Sequence, residues 1–319
     1  MMSDTSRAAD AEPLSLDGIL FFPVTPFTAD GGVDRDVLAE HIRSKLPFAP
    51  GGMFPACGTG ELHALSTAEA AIVVEEAVAA AEGRIPVVAG TGGPLGSALE
   101  LARNAERAGA DALLVLPPYL VQGPGAGVTR YIEELAAATS LPVIVYSRAN
   151  ARFTARQMRE LALNPKVIGF KDGVGDIGLA QEISLSVREV RPDFLFFNGL
   201  LTAELTQGAY RGIGMPLYSS AAFAFLPEVA NLYYRAFSAG DEDLRNRLLR
   251  EFYVPLVTLR DETPGFGVSL IKAGCRLRGL DVGGVRAPLV DPSPEQLGRL
   301  ERLVERGLEL AQELEGPFA

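Results

Sequence analysis

Along this chain, short β-like runs of apolar residues alternate with longer amphipathic stretches, from near residue 17 to near residue 225. The short runs fall at 18–22, 52–54, 86–89, 112–116, 143–146, 167–170, 194–198 and 212–215, and each predicts a strand. The longer stretches fall at 34–45, 67–81, 95–108, 128–139, 154–163, 177–189 and 202–210, most of them rich in Ala, Leu, Glu and Arg, and they predict helices. Asp34, Ser66 and Thr154 stand where N-caps belong, because a side-chain oxygen there can accept an unpaired N–H of the first turn.

Eight strands with intervening helices predict an α/β fold with parallel pairing, closed most economically as a (β/α)8 TIM barrel; an open doubly wound sheet is the competing arrangement. Beyond the eighth run only helical periodicity remains, at 227–239, 241–259, 266–278 and 294–313. The predicted organisation is a flexible N-terminus over 1–15, a barrel over 16–225 and a C-terminal helical extension over 226–319. No linker or low-complexity segment separates the extension, so it is expected to pack on the barrel.

With 319 residues, 48% of them hydrophobic, a large core is available, yet no apolar run approaches the roughly 20 residues that span a bilayer. The first residues lack a basic segment followed by an apolar one, so a cytoplasmic protein is expected. A formal charge of −11 opposes binding to nucleic acid or an anionic membrane, and an anionic substrate must meet local positive charge. Cys57 and Cys275 suggest no disulfide framework, and with only His41 and His63 as histidines no transition-metal site is expected. The glycines of Gly90-Thr91-Gly92-Gly93 and Pro124-Gly125-Ala126-Gly127 match no nucleotide fingerprint.

Barrel chemistry sits at the C-terminal rim of the strands. There the run Val167-Ile168-Gly169-Phe170-Lys171-Asp172-Gly173 ends in one amine. An amine at a dry strand end loses its charge more easily and can attack a ketone; the alternative is a lysine snorkelling to water. Pro55-Ala56-Cys57-Gly58-Thr59-Gly60-Glu61 follows the second strand, and its backbone N–H groups with the Thr59 hydroxyl suit a carboxylate, or simply make a glycine turn. Tyr146 ends the fifth strand as a proton-relaying phenol or a core cap, and Arg148 faces a second carboxylate or a surface ion pair. Gly199, Ser219 and Ser220, at the seventh and eighth strands, orient substrate hydroxyls or serve turns and caps.

The order of these motifs resembles the dihydrodipicolinate synthase and N-acetylneuraminate lyase superfamily over nearly the whole chain. Leu116-Pro117-Pro118-Tyr119-Leu120, Asn198-Gly199-Leu200-Leu201-Thr202-Ala203-Glu204 and Tyr218-Ser219-Ser220 add a resemblance to its 5-dehydro-4-deoxyglucarate dehydratase branch. The resemblance implies Lys171 as Schiff-base lysine, Tyr146 as proton relay, and Gly58, Thr59 and Gly60 as the loop holding the carboxylate beside the ketone; in such chemistry Thr59 or a bound carboxylate is expected to relay the protons that Tyr146 moves. It implies a keto sugar diacid as substrate, no metal or organic cofactor, and a homo-oligomer, dimer or tetramer. Two positions depart from the synthases: Leu120 follows Tyr119 where they carry a second tyrosine, and Gly58 replaces the first of their paired threonines. The competing functions are a pyruvate-dependent aldolase using the same lysine and a non-catalytic barrel that binds a sugar acid.

Overall fold

Eight short parallel strands form the inner wall of a barrel in the computed structural model, which describes residues 14–315. The flexible terminus expected over 1–15 lies outside the described residues as far as residue 13. The strands are β1 Leu20–Phe21, β2 Gly52–Met53, β3 Val88–Thr91, β4 Ala112–Val115, β5 Val143–Ser147, β6 Val167–Asp172, β7 Leu195–Asn198 and β8 Leu217–Ser220. β1 pairs with both β2 and β8, the order runs on from β8 to β3, and a parallel bridge between Met53 and Val87 joins the two ends. Most strand residues are fully buried because helices cover the outer face while side chains fill the interior.

The covering helices are α1 Arg35–Arg43, α2 Thr67–Ala81, α3 Leu95–Ala108, α4 Gly125–Ala137, α5 Ala155–Ala162, α6 Ile177–Arg188, α7 Gln207–Gly212 and α8 Pro227–Ala239. Asp34 caps α1 through its carboxylate, while Ser66 with Glu69 and Thr154 with Gln157 form capping boxes at α2 and α5. α8 completes the eighth βα unit, so the alternation runs to Ala239, past the residue 225 at which the sequence pattern ended the barrel.

The eighth strand lies elsewhere than predicted. Residues 212–215 end α7: Gly214 takes φ +82, and the Met215 N–H donates to the Tyr210 carbonyl at 2.9 Å, the signature of a glycine helix stop. The strand is the more polar Leu-Tyr-Ser-Ser that follows, recruited by pairing with β7 and β1 rather than by its own apolar pattern. The remaining strands begin and end within about two residues of the runs that predicted them.

The C-terminal region continues as α9 Glu242–Leu248, a π turn at Leu249–Tyr253, α10 Val254–Arg260, α11 Phe266–Leu277 and α12 Pro294–Glu315. The sequence pattern predicts a single helix over 241–259. Pro255 has no N–H to continue the ladder, and the helix widens into the π turn just before it. None of the helices among the described residues is long and apolar enough to cross a membrane.

A buried ion pair ties this region to the barrel rim. Lys272 of α11 meets Glu61, after β2, at 2.8 Å with neither side chain exposed, and also donates to the Gly284 carbonyl at 2.7 Å. The Arg286 backbone N–H donates to the other Glu61 oxygen at 2.9 Å. Lys272→Met would strand the Glu61 carboxylate in the interior, and we expect a loss of about 3–5 kcal/mol in urea-induced unfolding. Unchanged unfolding would show that the pair does not secure the two regions to each other.

Candidate active site

β5 and β6 are in register so that Tyr146 lies opposite Lys171, which turns both side chains to the same face of the wall. Lys171 is 5% exposed, and its Nζ lies 4.0 Å from the Phe22 ring centroid and 4.8 Å from that of Tyr146. Among the described residues it has no hydrogen-bond or ion-pair partner. Burial, reinforced by the positive charge of Arg148, brings its pKa down from 10.5 to about 7, against an opposing effect of Cys57.

Space for that amine depends on Gly199. A Cβ at this position would lie 2.6 Å from Lys171 Cγ and 2.8 Å from Cε, and the Gly199 N–H is anchored to the Asp172 carbonyl at 2.6 Å. Asp172 fastens the turn after β6 by accepting from the Val174 and Gly175 N–H groups, each at 3.1 Å, and from the Tyr210 hydroxyl. The Tyr146 hydroxyl donates to the Gly199 carbonyl at 2.9 Å and accepts from Arg148 Nη1 at 2.9 Å. Burial raises the phenol's pKa, and Arg148 opposes that rise.

These groups open into a cavity of about 570 Å³, a size suited to a small polar metabolite. Gly58 and Thr59 line it. Gly60, expected beside them, does not: it is buried, and its carbonyl accepts from Thr25 Oγ1 at 2.7 Å, so it anchors the loop from behind. Ser219 lines the cavity, whereas the Ser220 hydroxyl points to the opposite face of β8 and donates to Glu204 Oε1 at 2.6 Å. A hydroxyl-orienting role for Ser220 is therefore corrected to a structural one, because successive strand residues face opposite ways. Cys57 is fully buried, and its thiol is pushed up to about 12 by desolvation. Among the described residues, no three His, Cys, Asp or Glu side chains form a group that could hold a metal ion.

The dihydrodipicolinate synthetase family model matches residues 15–306. A probable 5-dehydro-4-deoxyglucarate dehydratase 1 of Streptomyces avermitilis is 52% identical over 297 residues, covering 93% of this chain and 95% of that protein. The 5-dehydro-4-deoxyglucarate dehydratase of Pseudomonas putida is 38% identical, covering 91% and 95% respectively. Among solved structures, dihydrodipicolinate synthase from Bacillus clausii superposes with a TM-score of 0.83 at 27% identity, covering 91% of this chain and 97% of its own. The chain belongs to the dihydrodipicolinate synthetase family.

Several lining residues of this family member escaped the sequence pattern. Phe22 follows β1 and reads there as core, while Arg260, Thr263 and Phe266 come from the helical region after the barrel. Arg260 looks like an ordinary last-turn arginine of α10; in space its Nε meets Asp261 at 2.8 Å and its Nη1 donates to Thr202 Oγ1 at 2.8 Å. The only available signal was the Thr-Pro-Gly-Phe-Gly break at 263–267, which demands a tight turn. His63, just beyond the glycine loop, is exposed and lines the cavity.

The lowered lysine sets a pH dependence. Only the neutral amine attacks a carbonyl, so reductive trapping of a 2-oxo acid on Lys171 should rise with pH and reach half its maximum at about 7. Peptide mapping after cyanoborohydride treatment across a pH series measures this, and a midpoint near the ordinary lysine value of 10.5 would contradict it.

Proposed function

We propose that this protein dehydrates and decarboxylates 5-dehydro-4-deoxy-D-glucarate to 2,5-dioxopentanoate, water and carbon dioxide, with Lys171 as the covalent catalyst. The carrying observation is a buried lysine amine without a counter-ion among the described residues, beside a phenol, in a cavity that also receives Arg148 and Arg260. The 52% identity to a relative bearing that activity in its name, over almost the full length of both chains, selects the substrate.

Lys171 condenses with the C5 ketone and releases water, and the resulting cationic iminium acidifies C4. Loss of a C4 proton gives an enamine whose electron pair expels the C3 hydroxyl, which leaves as water after taking a proton. The iminium is now conjugated to a C3–C4 double bond. Heterolysis of the C1–C2 bond sends its electron pair into that system and releases carbon dioxide, leaving a dienamine. Protonation at C4, tautomerisation of the C2 enol to an aldehyde and hydrolysis of the imine free the product and the amine. Overall, the substrate dianion takes up one proton and yields the product monoanion, carbon dioxide and water.

Tyr146 carries protons at C4 and at the departing oxygen, with Thr59 relaying them. Gly58 and Thr59 hold the C6 carboxylate beside the ketone, and orientation there lowers the entropic barrier. Gly199 leaves room for the amine, and Ser219 faces the substrate hydroxyls. Arg260 faces the C1 carboxylate. Its charge is shared with Asp261, so it selects a second acid without the tight ground-state grip that would oppose loss of carbon dioxide.

Purified protein given 5-dehydro-4-deoxyglucarate should release carbon dioxide and an aldehyde in equal amounts, and Lys171→Ala should lower the rate by roughly 10⁴-fold or more with the fold intact. Release of pyruvate instead would assign an aldolase. Arg260→Met should raise KM for the diacid by roughly tenfold while leaving KM for 2-dehydro-3-deoxygluconate, which ends in a hydroxymethyl group, nearly unchanged. Equal effects on both substrates would remove Arg260 from recognition of the distal acid.

A further inference from the structure

Arg148 lies on the cavity wall two residues beyond Tyr146, where a free guanidinium would be the natural partner of a substrate carboxylate. Its Nη1 is already engaged. It donates to Tyr146 Oη at 2.9 Å, and that hydroxyl donates in turn to the Gly199 carbonyl at 2.9 Å. The arginine backbone is fastened as well: Arg148 and Ala151 exchange two N–H to carbonyl bonds of 2.9 Å across a turn in which Ala149 takes φ +51. A side chain held at both ends is suited to keeping another group in place.

We propose that Arg148 is a positioning residue that acts on the reaction through Tyr146, holding the phenol between its guanidinium and the Gly199 carbonyl, instead of binding a substrate carboxylate. This rests on Lys171 and Tyr146 forming the imine centre. A phenol has one proton and two lone pairs. With Arg148 donating into one lone pair, the proton is turned to the Gly199 side, beside the amine, because Gly199 is the residue packed against Lys171. When Tyr146 gives up its proton, the guanidinium stabilises the phenolate left behind, and the proton returns to the same oxygen.

The ionisable groups facing Tyr146 come from five elements: Asp172 and Lys171 stand on β6, Tyr210 stands on α7, Cys57 follows β2, Tyr119 follows β4 and Arg148 follows β5. Arg148 favours ionisation of the phenol and disfavours the ammonium form of Lys171, while Asp172 and Cys57 oppose it at the phenol and Cys57 opposes it at the amine. Removing the guanidinium therefore moves both titrations to higher pH.

The test is a double-mutant cycle of Arg148→Met and Tyr146→Phe, with turnover of 5-dehydro-4-deoxyglucarate and trapping of pyruvate by cyanoborohydride measured across pH. In the Tyr146 background, Arg148→Met should lower plateau kcat about 10²-fold with KM changed less than about threefold. In the Tyr146→Phe background it should change plateau kcat less than about twofold, because its route of action is gone. The acid limb of pyruvate trapping should move to higher pH in Arg148→Met and stay in place in Arg148→Lys, which keeps the charge. If Arg148→Met fails to fold, the same cycle with Arg148→Gln, which also removes the charge, is read by the same kcat and KM outcomes. An equal loss in both backgrounds, or a raised KM with kcat preserved, overturns the proposal while leaving the function intact. A wild type that neither traps pyruvate nor turns over the diacid overturns both.

Discussion

One buried amine, unpaired among the described residues, organises this molecule. Bringing a lysine from 10.5 to about 7 means that the site disfavours the ammonium form by roughly 5 kcal/mol relative to water. The faces of Phe22 and Tyr146 attract a cation, but such contacts are worth only about 1–2 kcal/mol, so desolvation wins and a substantial share of the amine is neutral near pH 7. The same ring faces would receive the positive charge of the proposed iminium.

The second fully enclosed lysine makes the contrast plain. Lys272 is as deeply buried as Lys171, yet it keeps a carboxylate partner in Glu61 and a carbonyl partner in Gly284, and its nitrogen also lies 4.0 Å from the Phe27 ring. Burial acts on both, and the presence or absence of a partner separates a structural cation from an amine that loses its charge near neutrality. Glu61 closes the glycine loop after β2, so the ion pair that secures α11 also steadies the backbone that lines the cavity.

Much of this was legible along the chain. β6 is an apolar run that stops at Lys171, and parallel barrels expose their strand ends at one rim, so both the amine and its location followed from pattern. The helix caps at Asp34, Ser66 and Thr154 were likewise local signals with local causes. β8 was not legible, because its Tyr-Ser-Ser is held by neighbours on either side, while the glycines before it imitate a strand boundary and in fact stop a helix. Gly60 and Ser220 share motifs with Thr59 and Ser219 but turn away from the cavity, a distinction of facing that composition does not carry.

The sequence by itself determined the βα alternation, seven of the eight strands and the lysine, tyrosine and glycine loop that stand at strand ends, because hydrophobic period and capping act over a few residues. Only the tertiary structure decided which partners those groups have. Arg260 arrives from α10, Lys272 reaches Glu61 across 211 positions, and Arg148 gives a hydrogen bond to Tyr146 that two residues of spacing alone cannot specify. Desolvation and hydrogen bonding depend on distance in space, and closure of the barrel is what sets those distances.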